Sequence, residues 1–172
     1  MKTEVIKAIY FVGAGGIGMS AIARFFIKKG IVVAGYDKTP SALTTQLIKE
    51  GMQIHYEDNV AMIPQECLNK DNCLVVYTPA IPAEHTELCY FRSHGFEVQK
   101  RAQVLGTLTH SMKGLCVAGT HGKTTTSTLI AWLNQSVGAG GNAFLGGISK
   151  NFESNLVLGE GDRLAVEADE FD

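Results

Sequence analysis

The stretch AIYFVGAGGIG at residues 8–18 decides the fold class of the first part of the chain. A short β-favouring run at residues 8–12 predicts a strand and leads directly into a G-x-G-x-x-G pattern, and Ile22, Phe25 and Phe26 behind it share one face of a helix. Glycines between a strand and a helix permit a tight turn and let backbone N–H groups approach a diphosphate. The pattern predicts the first strand, loop and helix of a Rossmann-like α/β domain.

This first glycine loop indicates a diphosphate ligand without identifying what is attached to it. NAD, FAD and UDP all fit, and a tight turn without any ligand is the structural alternative. Asp37 follows the second predicted strand, where an acid can accept a hydrogen bond from a ribose hydroxyl, or can be a solvated turn residue. The candidate contacts are Gly13, Ala14, Gly15, Gly16, Ile17, Gly18 and Asp37.

Strands and helices alternate along the rest of the chain. We predict strands at residues 31–36, 53–56, 73–77 and 96–99, helices at 17–29 and 84–93, and a helix capped by Thr39 with Pro40 in its first turn. The pattern restarts with a connecting helix at 103–113, strands at 115–118, 143–145 and 164–168, and a helix at 124–137. Such alternation predicts mostly parallel sheets covered by helices. We assign a first domain to residues 1–107 and an incomplete second domain to 108–172, and we expect the chain to be a fragment of a longer protein.

A second glycine loop, AGTHGKTTT at residues 118–126, also follows a predicted strand and opens a helix. Its backbone N–H groups can converge on phosphate oxygens, Lys123 can bridge the β- and γ-phosphates of ATP, and the Thr124 hydroxyl can bind Mg²⁺. The longer G-x-x-x-x-G-K-[ST] pattern would need glycine where the chain has Val117, so this loop is a shorter one. The candidate ATP contacts are Gly119, Thr120, His121 (by its position in the loop only), Gly122, Lys123, Thr124 and Thr125.

Carboxylates follow the last predicted strand, in the stretch EADEFD at residues 167–172. In phosphate-loop enzymes an acid at the end of a neighbouring strand holds Mg²⁺ opposite the loop hydroxyl. Glu167, the first of these acids, is the best candidate for that ligand. Without the glycine loop, the cluster would be interpreted as a solvated strand end.

The composition favours a small-molecule ligand over nucleic acid or membrane. The net charge is −2, with 45% hydrophobic and 19% charged residues and no basic run. Cys67, Cys73, Cys89 and Cys116 form no C-x-x-C pair, so we expect reduced thiols. No signal-like or membrane-spanning apolar stretch is present, and we expect a cytoplasmic location.

Four motifs together resemble the Mur ligases of peptidoglycan synthesis: GAGGIGM (13–19), GTHGKTTT (119–126), LGGI (145–148) and EADEFD (167–172). The resemblance implies a UDP-binding domain, a central ATPase domain and a C-terminal amino-acid domain, of which this chain would hold the first and the opening third of the second. It also implies a reaction in which ATP phosphorylates the lactyl carboxylate of UDP-N-acetylmuramate and the amine of L-alanine then attacks the acyl phosphate. The fragment alone would be inactive.

The resemblance assigns roles to individual positions. Lys123 and Glu167 would be catalytic, Thr124 and Glu167 would bind Mg²⁺, and the first loop would hold the UDP diphosphate. Further contacts to the nucleotide sugar would come from His55, Thr78, Ala80, Ile81 and Arg101.

Two alternatives remain open from the sequence. The tripeptide-recycling Mur ligase shares the second and fourth motifs, and residues 151–153 look somewhat like it, but its first loop lacks the GGIGM run and residues 78–81 fit the alanine-adding type better. A nicotinamide oxidoreductase would fit the first loop and leave residues 119–124 without a role.

Overall fold

The computed structural model describes residues 6–168, which form two compact units divided between Arg101 and Ala102. The last acids of the fourth motif, Asp169, Glu170 and Asp172, lie outside the described residues together with Phe171. The domain assignment made from the sequence, 1–107 and 108–172, remains a proposal.

The first unit is built on a five-stranded parallel sheet in the order β3-β2-β1-β4-β5. Its strands are β1 (Ala8–Val12), β2 (Val32–Tyr36), β3 (Gln53–His55), β4 (Cys73–Tyr77) and β5 (Glu97–Lys100). Its helices are α1 (Ile17–Lys28), α2 (Ala42–Lys49) and α3 (Thr86–Ser93), with 3-10 turns at Val60–Met62 and Gln65–Cys67, and α4 (Arg101–Ser111) begins at its end. The chain leaves β1 toward β2 and returns to add β4 on the other side, so a topological switch point lies at the carboxyl end of β1.

Both faces of this sheet are covered. Tyr10 and Val12 belong to one buried cluster with Phe91 of α3, while Ile9 and Phe11 alternate to the opposite face and are also fully buried. The α/β fold class predicted from the sequence is therefore confirmed, and β1 and β4 have the predicted bounds.

One predicted helix start is wrong. The helix expected to begin at Thr39-Pro40 begins at Ala42, with Ser41 as its N-cap. The Ser41 hydroxyl accepts a hydrogen bond from the Thr44 N–H at 3.1 Å, and Thr44 Oγ1 accepts one from the Ser41 N–H at 2.8 Å. This reciprocal capping box satisfies two N–H groups at once, which a Thr39 cap does not. The Thr39 N–H donates to Asp37 Oδ1 instead, at 3.1 Å.

The second unit holds a four-stranded sheet in the order β6-β9-β7-β8. Its elements are the remainder of α4, β6 (Lys113–Val117), α5 (Lys123–Ser136), β7 (Asn142–Ser149), β8 (Ser154–Val157) and β9 (Arg163–Glu167). Strands β6, β9 and β7 are parallel, and β8 pairs antiparallel with β7. Ala131 of α5 packs on a cluster that includes Ala143 and Ala165.

The sequence prediction differs from this unit in three main respects. Helix α4 ends at Ser111 and β6 begins at Lys113, whereas the predicted helix extends to residue 113 and the predicted strand begins at residue 115. Strand β7 extends to Ser149 instead of ending at residue 145, and β8 was not predicted. The glycine pair at 146–147 resembles a strand end, and the pairing that defines the hairpin with β8 is a tertiary contact. Within residues 6–168, no helix combines the length and the apolar character that crossing a membrane requires.

Candidate functional site

A pocket of about 500 Å³ lies at the carboxyl end of the first sheet, at its switch point. The first glycine loop, the end of β2, the loop after β3 and the segment after β4 form its wall. It is lined by Gly13, Gly16, Tyr36, Asp37, Lys38, Asp58, Thr78, Ala80, Ile81, Pro82 and His85. The predicted residues that line it are therefore Gly13, Gly16, Asp37, Thr78, Ala80 and Ile81.

The first glycine loop is held by hydrogen bonds to the end of β2. The N–H groups of Gly13 and Ala14 donate to the Tyr36 carbonyl at 2.8 and 3.0 Å, and the Gly15 N–H donates to Asp37 Oδ2 at 2.6 Å. Asp37 therefore holds the loop in place. In this structure its carboxylate accepts the Gly15 N–H, a donor that a bound diphosphate would also use. A ribose contact for Asp37 stays a prediction.

Helix α1 begins directly after this loop. Gly16 is its N-cap residue, with an extended backbone (φ −68° and ψ 144°) and no side-chain hydrogen bond that caps the helix. The first N–H groups of a helix lack partners within the helix and carry its positive dipole end, which suits an anion. Ile17 and Gly18 form the first turn. A methyl group on Gly18 would lie 2.7 Å from Arg101 Nη1, so the Arg101 guanidinium packs against this turn.

His55 lies behind the pocket, where it is 9% exposed and does not belong to the lining. Its Nε2 is 2.7 Å from the Tyr10 hydroxyl, and its Nδ1 donates to the Glu57 carbonyl at 2.9 Å. Direct contact of His55 with a nucleotide sugar remains a prediction.

His85 was missed by the sequence analysis, and it is the side chain of the pocket that most lacks hydrogen-bond partners. Its side chain is 6% exposed, and its ring packs on Tyr36 with 4.5 Å between centroids. Nδ1 lies 3.2 Å from Asp58 Oδ1, but the approach does not have hydrogen-bond geometry, and within residues 6–168 neither ring nitrogen has a hydrogen-bond partner. Burial lowers the pKa of His85, so a neutral imidazole faces the pocket.

Asp58 also escaped the sequence analysis, because its main partners are distant in sequence. Its two carboxylate oxygens accept the N–H groups of Thr86 at 2.8 Å and Glu87 at 3.1 Å, so Asp58 caps α3. Burial acts to raise the pKa of Asp58, but these two hydrogen bonds outweigh burial and lower the pKa below its ordinary value. Ligand atoms of Asp58, His85 and Glu87 lie within 4.8 Å of one another, but the carboxylates already accept hydrogen bonds, so we assign no metal here.

The second glycine loop leads from the end of β6 into α5. Gly119 and Gly122 have φ of +143° and +78°, values that side chains rarely adopt, so glycine is required at both positions. Lys123 Nζ donates to the Gly119 carbonyl at 2.8 Å, which places the ammonium group over the loop. Thr120 and His121 are exposed at its tip, and Thr125 is exposed in the first turn of α5.

Glu167 connects this loop to the end of β9. It accepts hydrogen bonds from Thr124 Oγ1 at 3.2 Å, Ser127 Oγ at 3.1 Å and the Gly146 N–H at 2.7 Å. Residue 167 is also the register partner of Val117, from which the loop departs. The hydroxyl and carboxylate oxygens that the sequence assigned to Mg²⁺ therefore meet at the start of α5, and such oxygens are the ligands that Mg²⁺ prefers.

Two members of this second site were not predicted. Ser127 lies one helical turn after Thr124, and the i, i+3 spacing was the available signal. Gly146 belongs to the LGGI motif, for which no role was predicted. A methyl group on Gly146 would lie 2.5 Å from Glu167 Oε2, so a side chain there would displace the carboxylate.

Comparison with known proteins gives one family and several close relatives. The family model described as Mur ligase family, catalytic domain, matches residues 8–113. UDP-N-acetylmuramate–L-alanine ligase from Parabacteroides distasonis is 62% identical over 173 residues, which cover 100% of this chain and 37% of the relative. The chain thus spans little more than a third of that relative's length.

Solved structures of two ligases share the fold. The UDP-N-acetylmuramate-alanine ligase of Thermotoga maritima has a TM-score of 0.80 at 29% identity, covering 93% of this chain and 37% of that one. The UDP-N-acetylmuramate:L-alanyl-gamma-D-glutamyl-meso-diaminopimelate ligase from Neisseria meningitides has a TM-score of 0.85 at 26% identity, covering 97% of this chain and 54% of that one.

Proposed function

Because the chain belongs to the Mur ligase family, we propose that it supplies the nucleotide-sugar pocket and the phosphate loop of an ATP-dependent ligase. The reaction joins L-alanine to the lactyl carboxylate of UDP-N-acetylmuramate in the cytoplasm. The first pocket takes the nucleotide sugar, and the second glycine loop takes ATP with Mg²⁺.

The meeting of Thr124 and Glu167 beside Lys123 is the observation that carries this proposal. A hydroxyl and a carboxylate 3.2 Å apart at the start of a helix, with a lysine at the preceding position whose ammonium group lies over the loop, form a suitable site for a metal-bound triphosphate. A nicotinamide oxidoreductase has no use for such a site in a separate unit, so this alternative explains less of the chain.

The residues of the second loop match the chemical requirement of the reaction. A carboxylate is a poor acyl donor until it is phosphorylated, and it approaches a triphosphate only if positive charge offsets the repulsion between them. Lys123 and the loop N–H groups would hold the phosphates, with Thr124 and Glu167 as ligands of Mg²⁺. When bound, Mg²⁺ neutralises charge on the phosphoryl group during its transfer. The amine of L-alanine then attacks the acyl phosphate, phosphate leaves, and an amide forms.

Alanine is preferred over a preformed tripeptide as the second substrate. The 62% identity to an alanine ligase over the whole chain supports it, while the identities to the two solved structures, 29% and 26%, are too similar to separate the substrates. The two folds match this chain almost equally well, with TM-scores of 0.80 and 0.85, so fold similarity does not separate these substrates.

Calorimetry on this chain, with two variants that each disable one site, tests the proposal. Gly16→Asp places a carboxylate at the N-cap of α1, where aspartate is a favoured cap, so the fold is kept while the diphosphate is repelled. Gly16→Asn is the neutral control of similar size. We expect Gly16→Asp to lose UDP-N-acetylmuramate binding and to keep Mg·ATP binding, and Gly16→Asn to keep much of both.

Lys123→Ala should show the reverse pattern, with Lys150→Ala, an exposed turn residue, as its charge-matched control. Binding of NAD without binding of the UDP sugar would refute the ligase proposal. Loss of both ligands in either variant would indicate a damaged fold, which circular dichroism would reveal.

A further inference from the structure

Three buried side chains, which we call the Tyr10 triad, connect β3, β1 and α3 behind the nucleotide-sugar pocket. The Tyr10 hydroxyl lies 2.7 Å from His55 Nε2 and 2.7 Å from Glu87 Oε2. Tyr10 and Glu87 are fully buried, and His55 is 9% exposed. Both distances are those of good hydrogen bonds.

The number of available hydrogens determines the protonation state of the Tyr10 triad. His55 Nδ1 faces the Glu57 carbonyl, which only accepts, so this nitrogen carries a hydrogen. A neutral His55 then has a bare Nε2, and an ionised Glu87 offers only lone pairs. The single hydroxyl hydrogen of Tyr10 cannot serve both contacts. Two hydrogen bonds therefore require one additional proton, on either His55 or Glu87.

Burial favours the neutral form at both ends of the Tyr10 triad. Burial raises the pKa of Glu87 from 4.5 to about 7, and burial lowers the pKa of His55. The additional proton thus belongs on Glu87 Oε2. Glu87 donates to Tyr10, and Tyr10 donates to His55.

The surroundings of the Tyr10 triad act on Glu87 in both directions. Burial and the neighbouring Asp58 raise the pKa of Glu87, whereas the Asn59 N–H, which Glu87 Oε1 accepts at 3.1 Å, lowers it, and burial is the largest effect. His55 Nε2 also lies 3.5 Å from Glu87 Oε1. Titratable groups face the triad from each neighbouring element: Tyr36 from β2, Glu57 and Asp58 from the loop after β3, Cys67 from the second 3-10 turn, and His85 from the segment before α3.

Short hydrogen bonds connect the Tyr10 triad to the pocket wall. Glu87 holds the loop after β3 through Asn59, and Asp58 in that loop holds the start of α3. Asp58 and His85, which belong to these two segments, line the pocket. We propose that the Tyr10 triad holds one additional proton below neutral pH and in that state positions this wall for ligand binding.

Loss of the proton would break one of the two contacts to Tyr10 and leave a buried carboxylate beside Asp58. The loop after β3 and the start of α3 would have to move to hydrate or separate these charges. Affinity for the nucleotide sugar should then fall above neutral pH, by at most about tenfold per pH unit because a single proton is coupled to binding. This inference rests on the proposed use of the pocket.

The first experiment is calorimetry with UDP-N-acetylmuramate from about pH 6 to about pH 9, a range in which its diphosphate diester does not titrate. In Glu87→Gln the amide donates permanently to Tyr10, and its oxygen still accepts from Asn59. Glu84→Gln, at an exposed position nearby, removes the same charge as a control. We expect the wild type and Glu84→Gln to lose affinity severalfold above pH 7, and Glu87→Gln to lose none. An equal decline in Glu87→Gln would overturn the positioning role.

The second experiment reads the proton directly in the unliganded chain. The ¹³C shift of the Glu87 carboxyl, assigned by its loss in Glu87→Gln, should titrate near pH 7, above the ordinary glutamate value of 4.5. A Glu87 carboxyl that is ionised at pH 6 beside a neutral His55 ring would overturn the shared proton. Failure of the UDP sugar to bind at any pH would refute the proposed function and the positioning role, while this titration would still decide the protonation state.

Discussion

Replacing Glu167 by alanine should destabilise the second unit by about 2 kcal/mol, because one carboxylate accepts three hydrogen bonds there. Hydrogen bonds to a charged group contribute about 1.5–3 kcal/mol each when buried. The free-energy cost per hydrogen bond is smaller here, because Thr124 and Gly146 are exposed to water and Ser127 keeps a second hydrogen bond to the Thr124 carbonyl. Glu167→Gln retains an acceptor and should cost about 1 kcal/mol, roughly the charge-assisted part.

Urea unfolding with two intrinsic probes measures this effect. The single tryptophan, Trp132, lies on α5 of the second unit, and all five tyrosines lie in the first unit. Tryptophan fluorescence should report earlier unfolding in both Glu167 variants, with the tyrosine absorption midpoint unchanged. An unchanged tryptophan midpoint in Glu167→Ala would mean that water replaces the carboxylate without cost, and the proposed preformed site would lose its support.

Three further outcomes concern the first unit and are measured through the tyrosine signal. Between about pH 4.5 and about pH 7 the folded chain keeps a Glu87 proton that the unfolded chain releases, so the contribution of Glu87 to stability falls as pH rises and is lost above pH 7. Relative to the wild type, Glu87→Gln should therefore gain on the order of 3 kcal/mol of stability across that window. The opposite effect of His55 is present in both proteins and cancels in this difference. A difference that stays constant with pH would contradict this. Gly35→Ala should cost about 3 kcal/mol or more, because its Cβ would overlap the Phe11 carbonyl oxygen, and a wild-type midpoint would show that β1 and β2 can separate. Asp58→Ala should cost about 1–2 kcal/mol by uncapping α3, with a smaller loss in Asp58→Asn, and equal losses would argue against the cap.

Local features were predicted well from the sequence. The bounds of β1 and β4 and the placement of both glycine loops follow from short apolar runs and adjacent glycines, which act within a few residues. The start of α2 was wrong for a local reason as well. Proline in a first turn is a weaker signal than the reciprocal Ser41 and Thr44 bonds that the structure contains.

Features that depend on distant residues could not be predicted. Tyr10 and Glu87 are separated by 77 positions and Asp58 and Thr86 by 28, and no periodicity in the sequence relates them. Tyr10 resembled an ordinary strand residue because its hydroxyl finds its partners only after β1 and α3 have packed together. The placement of His55 behind the pocket instead of in its lining is a tertiary effect of the same kind.

The two units hold their glycine loops in the same way. In each unit, an acid at the end of the neighbouring parallel strand bonds to the loop segment: Asp37 accepts the Gly15 N–H, and Glu167 accepts the Thr124 hydroxyl. Each carboxylate thereby occupies a group that a ligand would also contact. Asp37 accepts an N–H that a diphosphate oxygen would accept, and Glu167 accepts from a hydroxyl that would bind a cation. The acids therefore stabilise the loops in the absence of ligand, and exchanging these bonds offsets part of the binding free energy. The ligand-specific contacts must then come from the other side chains at each strand end. For this reason the glycine pattern alone indicated a phosphate group and did not identify the molecule that carries it.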